Sequence, residues 1–562
     1  MKFNLETEKI MANMSNAFIK ANTLGPGANG ARTENGAISY STIGSALLDQ
    51  FGKAGAYRGR NIADVWAEQE RLWAENPEMA LKFPFYLRMI TRQTNIIGGG
   101  KTDAVQKGQG AKDESFKRLL WIAKYHPEEF YSNLWVLPIV GSWKDLWVLL
   151  ASDGASEYLD TKKFFAVMAE GINDENHKDL VKKYLPRIRS EKKCTTNWAK
   201  RTNALAKEFA KFAGWTYKDY RDFKATGKAH EFQTFICKGL YKDIKWSAVP
   251  GKALLNLVSG KFLKNHNLTD GYIAWLKTQP VAKFNGYPFE LGRKVREYGC
   301  GGPDLATKIT IDKQFDGLIE TAKKNGRPIE GNVLCGLDTS GSMTWVTLDN
   351  AGTMPYDVCL SLGVYFSELN EGAFHNVVAD FSDTCQLRTL KGTFSEKFNY
   401  LRTNCRGWGS TNFQGLVDLI IKTRREHPEI PVSDFPQTLL VVSDMQFNPS
   451  GGYYNSEGRY VREMTNYETA MAKLREVFPK EFVDDFKIIW WYCAPRVTAD
   501  FPSTMDDAGS YMVSGFDGAI ISFLLGGDVP VKVDETGKKV QPSMEDIINA
   551  AFSQEALALI TR

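Results

Sequence analysis

Three small oxygen-bearing side chains follow a short apolar run in this sequence. Asp338, Ser340 and Ser342 come directly after residues 333–337, which read V-L-C-G-L. The run predicts a buried strand, so the three side chains lie where that strand meets solvent. Carboxylate and hydroxyl oxygens suit a hard divalent cation such as Mg²⁺, which prefers oxygen ligands and keeps several of its waters. The pattern Asp-x-Ser-x-Ser is common in turns, however, and alone it predicts little.

Two later segments strengthen the prediction of a metal site. Thr411 lies in G-S-T-N-F, just before a helical pattern, and Asp444 ends a second apolar run at 438–443. In a doubly wound sheet, loops from neighbouring strands converge beyond the carboxyl ends of the strands. We therefore expect two carboxylates and three hydroxyls to form one site for a single Mg²⁺, with room for water and one exogenous oxygen. The alternative is that these residues only cap turns and helices.

The elements that would position this site alternate between strand and helix from about residue 326 onwards. Continuous apolar strands separated by amphipathic helices predict a doubly wound parallel sheet covered on both faces. Strands are predicted at 333–337, 376–381, 438–443, 487–493 and 511–515, and helices at 356–369, 413–424, 464–477 and 517–525.

The part of the chain before residue 326 has a different pattern. Apolar residues recur there at three- and four-residue spacing, which predicts helices throughout. Helices of this length joined by short turns suggest stacked pairs of the HEAT type, although no fixed-period repeat is visible. We predict an irregular N-terminal arm (1–40), an all-α helical-repeat domain (41–325), a doubly wound domain (326–530), and a C-terminal linker and helix (531–562).

Composition narrows the class of protein. The chain has 562 residues, of which 43% are hydrophobic and 24% charged, as expected of soluble globular domains. There is no run of 18 apolar residues and the N-terminus has no signal-peptide pattern, so we expect no membrane association. The eight cysteines are scattered without a C-x-x-C pair. Reduced thiols in a cytoplasmic protein are the expected state.

The charge is distributed unevenly along the chain. Residues 1–325 hold 50 Lys and Arg against 35 Asp and Glu, whereas the remainder holds 20 against 31. Residues 181–300 alone carry 25 basic and 9 acidic residues, which favours an anionic partner such as RNA over a merely solvated helical surface. The aromatic residues interleaved there, which could stack on bases or simply form helix core, are Trp198, Trp215, Tyr217 and Tyr220. The candidate RNA-binding cations are Lys101, Arg187, Arg189, Lys192, Lys193, Lys200 and Arg201.

The five oxygen-bearing residues together resemble the metal-ion-dependent adhesion site of von Willebrand factor A domains. The resemblance implies that Mg²⁺ is held by Ser340, Ser342 and Thr411, while Asp338 and Asp444 act through water. One departure is the insertion T-W-V-T-L-D-N-A-G-T-M-P at 344–355, which we expect to fold over the site and restrict access.

The helical half resembles TROVE-type proteins, the group that includes the Ro autoantigen. The similar segments are T-R-Q-T-N-I-I-G-G-G-K-T-D-A at 91–104, the helix-forming stretch at 108–127 and L-P-I-V-G-S-W-K-D-L-W at 137–147. A closer likeness, over roughly residues 40–555, is to a family of domains of unknown function with the same two-part layout. The Ro-like resemblance implies binding of small structured RNAs and single-stranded RNA ends, in a ribonucleoprotein.

Enzymatic readings fit the residues poorly. The segment N-I-I-G-G-G-K-T at 95–102 has Asn95 where a phosphate-binding loop needs glycine, and no buried strand precedes it. Two-metal phosphoester chemistry needs more bridging carboxylates than Asp338 and Asp444 provide. We therefore expect a non-enzymatic RNA-binding protein. The alternatives are a protein-interaction module that captures an acidic residue at the metal site, and a scaffold component, for instance of a viral particle.

Overall fold

The structure is a computed structural model with two compact units. Residues 1–57, 287–302 and 319–548 form the sheet unit, and residues 58–286, 303–318 and 549–562 form the helical unit. The residues described are 30–226, 231–325, 329, 331–405, 408–454, 460–494, 501–525, 529, 532–533, 539–540 and 542–562. The first 29 residues of the predicted arm, most of the predicted linker after 530 and the segment 495–500 lie outside them.

The strands all belong to the sheet unit, and six of them make its central sheet. In chain order the strands are β1 (Gly30–Arg32), β2 (Ile38–Tyr40), β3 (Val333–Asp338), β4 (Val377–Phe381), β5 (Cys385–Thr389), β6 (Thr438–Ser443), β7 (Gly452–Tyr454), β8 (Tyr460–Glu463), β9 (Lys487–Tyr492), β10 (Ser510–Ser514), β11 (Lys532–Val533) and β12 (Lys539–Val540). The central sheet has the order β10-β9-β6-β3-β4-β5. Its neighbours are parallel except β4 and β5, which are antiparallel.

Burial explains why the inner strands form where the sequence predicts them. Every residue of β3 and of β6 is buried. Since successive side chains point to opposite faces, helices must cover both faces of the sheet, as in doubly wound folds. The predicted helical region followed by a doubly wound sheet is therefore confirmed. The sheet is mixed, however, because the antiparallel edge strand β5, which has no buried residue, was not predicted.

Helices of the sheet unit pack on this sheet and on one another. Pro355–Leu369 contacts β3, β4 and β6, while Ala46–Lys53 contacts β10. The helices of this unit are Ala46–Lys53, Pro288–Glu297, Ser342–Trp345, Pro355–Leu369, Phe394–Asn404, Gln414–Glu426, Asn466–Val477, Lys480–Asp484 and Ser522–Leu525. The first two lie within the stretch that the sequence pattern had assigned to the helical half.

The helical unit packs consecutive helices against each other. Arg118 on the helix Lys112–Tyr125 has no solvent exposure. It forms ion pairs with Glu114 of the same helix at 2.9 Å and with Glu68 of the helix Ile62–Glu75 at 3.0 Å. Its helices are Ile62–Glu75, Pro77–Arg88, Lys112–Tyr125, Pro127–Asn133, Leu137–Val140, Trp143–Leu150, Thr161–Asn173, Lys178–Tyr184, Asn197–Phe212, Tyr217–Ala225, Glu231–Cys237, Gly251–Ser259, Phe262–Asn265, Thr269–Thr278 and Glu555–Ala558. Leu305–Asn325 and Met544–Phe552 contribute residues to both units.

The end of the chain belongs to the helical unit, a point that the sequence left open. The ring of Phe552 lies 6.0 Å from that of Phe83 and 5.1 Å from that of Tyr86. Asn133 brackets the last residues, since its amide donates to the Thr561 carbonyl at 2.7 Å and accepts from the Thr561 N–H at 3.0 Å.

In contrast to the irregular arm expected at 1–40, residues 30–40 form an antiparallel hairpin, β1–β2. The turn uses Gly36 at φ +92°, which favours glycine. The chain then continues along the sheet unit, because Tyr40 and Phe501 exchange two backbone hydrogen bonds of 2.8 Å.

Close packing between Pro288–Glu297 and its neighbours gives a test of this fold. A Cβ atom on Gly292 would lie 2.2 Å from Ser361 Oγ and 2.6 Å from the Phe398 ring. We expect Gly292→Ala to lower the free energy of unfolding in urea by about 1–3 kcal/mol, the usual cost of overpacking. The control is Gly271→Ala in an open helical position, which should raise it by about 0.5–1 kcal/mol. Equal effects from the two variants would contradict the packing described.

Candidate metal centre and basic groove

The candidate metal centre lies at the switch point of the sheet. From β3 the chain moves outward to β4 and β5, then returns to the other side of β3 to form β6. Parallel strands on opposite sides of such a point open a crevice at their carboxyl ends, where doubly wound proteins bind ligands. Asp338 is the last residue of β3, and Asp444 follows the last residue of β6. The topology therefore brings these two carboxylates together although 106 residues separate them.

Asp338 is fully buried and is held by groups on both sides of the switch point. Its Oδ1 accepts the Ser340 N–H at 2.9 Å, and its Oδ2 accepts the Ser443 hydroxyl at 2.5 Å. The hydroxyls of Ser340 and Ser342 lie 3.0 Å apart. The Asp-x-Ser-x-Ser turn thus presents two adjacent hydroxyl oxygens beside a carboxylate, in a loop that remains buried up to Gly341.

Asp444 and Thr411 lie on loops that are tied to each other. The Asp444 Oδ1 atom accepts the Gln446 N–H at 3.2 Å, which turns the loop back on itself. Thr411 bonds Asn448 of the same loop twice, since its N–H donates to the Asn448 side chain at 3.1 Å and its carbonyl accepts the Asn448 N–H at 2.9 Å. Both Asp444 and Thr411 are buried.

The electrostatics of the pair suit a cation. Burial and, next, the charge of Asp444 raise the pKa of Asp338 to about 7, against hydrogen bonds from Ser340 and Ser443 that lower it. Two buried carboxylates that repel each other are stabilised by a positive charge between them. The surrounding donors are oxygen atoms, as Mg²⁺ prefers. Among the described residues no group of three or more His, Cys, Asp and Glu could hold a metal.

The structure adds Ser443 to the residues predicted from sequence. Its hydroxyl donates to Asp338 and accepts the Met445 N–H at 2.9 Å. Met445 has φ +62°, a left-handed conformation that is unusual for methionine. The sequence carries a signal for this role, because Ser443 is a polar residue at the end of an otherwise apolar strand. Ser443 therefore links Asp338 to the strained loop that carries Asp444.

The insertion at 344–355 begins beside the serine turn, where the Thr344 hydroxyl donates to the Gly341 carbonyl at 2.9 Å, and its later part packs elsewhere. Arg293 and Arg296 bond its carbonyl groups at Ala351 and Gly352, at 3.0 and 2.6 Å. These bonds hold the insertion on the helix Pro288–Glu297. A Cβ on Gly341 of the serine turn would lie 3.5 Å from the Trp345 ring and 3.6 Å from the Trp408 backbone carbonyl. The side chains of Trp345 and Trp408 are 74% and 77% exposed. The turn is therefore bordered by the exposed indole ring of Trp345 and by the backbone of Trp408.

In the helical unit, two of the predicted cations line a groove of about 230 Å³. The groove lies at the start of the helix Asn197–Phe212, where the helix dipole favours negative charge. Lys144, which the sequence reasoning missed because it lies some 40 residues upstream, adds a third cation. The groove is lined by Lys144, Trp147, Val148, Tyr184, Pro186, Arg187, Arg189, Trp198, Ala199 and Thr202.

The other predicted cations do not line this groove. Lys192, Lys193 and Lys200 are exposed and lie close in sequence to residues that line the groove. Arg201 forms an ion pair with Asp153. Lys101 lies on the glycine turn, where the Gly98 N–H donates to the Asp174 carboxylate at 2.7 Å. A carboxylate on the turn opposes phosphate binding there, which agrees with rejecting a nucleotide-binding loop.

The aromatic residues of the basic segment divide into surface and core. Trp198 is 42% exposed and Tyr217 is 40% exposed. Tyr220 has no exposure and donates to the Pro186 carbonyl at 2.8 Å, so it supports the groove wall from inside. Trp215 is half-buried against Phe223, at a ring distance of 4.8 Å. Only Trp198 combines exposure with a place in the groove.

Two family models and one curated protein match this chain in sequence. The family described as "Domain of unknown function (DUF2828)" matches residues 33–244, and "Domain of unknown function (DUF7788)" matches residues 332–556. A relative, "Uncharacterized protein L728" of Acanthamoeba polyphaga mimivirus, is 22% identical over 535 residues, which are 89% of this chain and 85% of that protein. The expected two-part likeness to domains of unknown function is therefore confirmed.

A solved structure also matches over most of the chain. The RO (RSR) protein of Deinococcus radiodurans matches 84% of this chain and 97% of its own, at 16% identity and a TM-score of 0.43. Within the described residues, no helix is long and apolar enough to cross a membrane.

The buried carboxylate pair gives a test of the metal centre. At pH 8 in EDTA, we expect Asp338→Asn to raise the unfolding temperature, because it removes a buried charge that Asp444 repels. Saturating Mg²⁺, at about 100 times Kd, should stabilise the native chain by about 2.7 kcal/mol and the variant by far less. Thermal unfolding with and without Mg²⁺ measures both effects.

The matched control is Asp418→Asn, which removes an exposed carboxylate from the helix Gln414–Glu426 of the same unit. This variant should keep the full response to Mg²⁺. A response that survives in Asp338→Asn would place the cation elsewhere.

Proposed function

We propose that this chain is a non-enzymatic RNA-binding protein whose helical unit contacts RNA through the groove at Arg187, Arg189 and Trp198. The observation that carries the proposal is the exposed Trp198 ring in the same groove as cations at Lys144, Arg187 and Arg189. Lysine and arginine neutralise phosphates, and an exposed indole stacks on an unpaired base.

The surroundings of the groove favour a polyanion. Burial and, to a smaller extent, the charge of Arg187 lower the pKa of Lys224 to about 8, so the Arg187 guanidinium lies close enough to Lys224 for the two positive charges to repel each other. The Arg189 N–H is fixed by the Asn203 side chain at 2.8 Å, so the segment that carries both arginines is anchored to the helix. A single exposed indole and a small groove suit single-stranded RNA, whose bases are free to stack.

In the sheet unit we propose one Mg²⁺ at Asp338, Ser340, Ser342, Thr411 and Asp444. A bound Mg²⁺ would offset the two carboxylates and attract an anionic oxygen from outside. The two carboxylates are too few for two-metal phosphoester chemistry, which supports a binding role for this site.

RNA binding is tested by removing the two groove arginines. We expect Arg187→Ala/Arg189→Ala to weaken binding of single-stranded RNA and to reduce the slope of log Kobs against log salt by about 1.4, which is 0.7 for each lost phosphate contact. Trp198→Ala should cost about 1–3 kcal/mol of binding free energy through lost stacking. Fluorescence anisotropy at several salt concentrations measures both quantities.

The matched control is Lys264→Ala/Lys277→Ala, which removes the same charge from exposed positions of the helical unit away from the groove. It should change the salt slope little. Equal losses of RNA affinity in the two double variants would show that binding depends only on net charge. Unchanged RNA affinity in the arginine variant would show that the groove is not the RNA-binding site.

A second candidate function is capture of a protein partner at the metal site. The exposed Trp345 ring beside the serine turn favours it, as does the exposed side chain of Trp408, whose backbone lies at the same turn. Large exposed aromatic side chains beside an electrophilic cation are typical of binding surfaces that anchor on an aromatic contact and an acidic residue.

The two functions separate experimentally. We expect Asp338→Ala, EDTA, or Trp345→Ala/Trp408→Ala to abolish co-purification of a protein partner from the native source, while RNA binding remains. A partner that persists under all three conditions would make the metal site purely structural.

A further inference from the structure

The hairpin β1–β2 is anchored on the loop that carries Asp444. The Thr33 hydroxyl donates to the Phe447 carbonyl at 2.7 Å, and the Glu34 N–H donates to the Gln446 side chain at 2.7 Å. Both bonds join residues more than 400 positions apart in the chain. The hairpin therefore contacts the two residues that immediately follow the strained Met445.

Asn35, in the turn of the hairpin, reaches the candidate cation site itself. Its side-chain amide donates to the Gln446 carbonyl at 2.6 Å and lies 3.5 Å from the Thr411 hydroxyl, a longer and weaker contact. Thr411 is 1% exposed whereas Asn35 is exposed, so Asn35 is an outer group on the solvent side of that hydroxyl. An amide that contacts the Thr411 oxygen limits what else can approach it.

The hairpin and the metal site share the same loop, which couples them. Asp444 Oδ1 holds the Gln446 N–H, while Gln446 holds the hairpin through its carbonyl and its side chain. A change in the position of Asp444 on cation binding would therefore reach the hairpin through a single residue. Linkage requires the reverse effect as well, since docking of the hairpin must change the behaviour of a bound cation.

We infer that Asn35 is a positioning residue of the cation site and that the hairpin carrying it gates access to Thr411. This inference rests on the proposed Mg²⁺ site and adds an element of this chain that controls it. A partner oxygen can approach a cation held by Thr411 from the side of the hairpin only after Asn35 withdraws. The partner face is thus closed by the chain's own N-terminal segment until a ligand competes with it.

The test uses Mn²⁺ as the probe ion on the full chain. Equilibrium affinity is measured by electron paramagnetic resonance of free Mn²⁺, and access is measured by the water-proton relaxivity of bound Mn²⁺ and by its release to EDTA. We expect Asn35→Ala to raise the relaxivity and to speed release about five- to tenfold, as the loss of one or two hydrogen bonds would allow. Hydrogen exchange should show that Mg²⁺ slows exchange at the Glu34 amide in the native chain.

The matched control is Asn332→Ala. Asn332 also joins two loops through its amide, donating to the Ser433 and Phe435 carbonyls at 2.6 and 3.1 Å, but next to the first residue of β3, at the opposite end of the strand. It should cost comparable stability and leave relaxivity and release unchanged.

The outcomes distinguish the gate from the site. A native chain that binds no Mn²⁺ overturns the cation site and the gate with it. Normal Mn²⁺ affinity with relaxivity and release that are unchanged in Asn35→Ala overturns the gate alone. Equal acceleration in Asn332→Ala also overturns it, because the effect would then follow stability and not position.

Discussion

The structure of the sheet unit depends on how two buried carboxylates are accommodated at one switch point. Asp338 and Asp444 end neighbouring parallel strands, and burial together with their mutual repulsion raises the pKa of Asp338 to about 7. Hydrogen bonds from Ser340, Ser443 and Gln446 offset part of this cost. A positive charge between two such buried carboxylates would lower the cost of keeping them ionised. The hydroxyl-bearing turns nearby add neutral oxygens to the two carboxylates, which is the ligand set that the proposed Mg²⁺ would use.

Charge divides the two proposed functions between the two units. The buried negative charge of the sheet unit lies at its switch point, on Asp338 and Asp444. The excess of Lys and Arg over Asp and Glu lies in residues 181–300. Under the proposed function, a polyanion would be attracted by the groove at Arg187 and Arg189 and repelled by the carboxylates of Asp338 and Asp444 at the switch point. Occupancy by a divalent cation, as proposed, would change this, because it would convert the switch point from a repulsive site into one that accepts an anionic oxygen.

Sequence reasoning was accurate where a local pattern carried the information. The strands β3 and β6 are continuous apolar runs because they are buried on both faces, and their ends locate Asp338 and Asp444. The edge strand β5 reads C-Q-L-R-T and is not buried, so no pattern distinguishes it from a loop. Lys144 joins the groove through helix packing, and the contact of Asn35 with Thr411 spans 376 residues. Such contacts depend on tertiary structure, which a single sequence does not encode in any local spacing.

The strained loop after β6 explains how an N-terminal segment can matter to the switch point. Met445 holds φ +62° with no solvent exposure, a conformation that persists only where the surroundings determine it. Ser443 fixes the loop from the strand side, and the hairpin fixes it through Gln446 and Phe447. The position of Asp444 therefore depends on contacts from both the strand and the hairpin, so the hairpin would contribute to the stability of the proposed metal centre although it supplies no carboxylate.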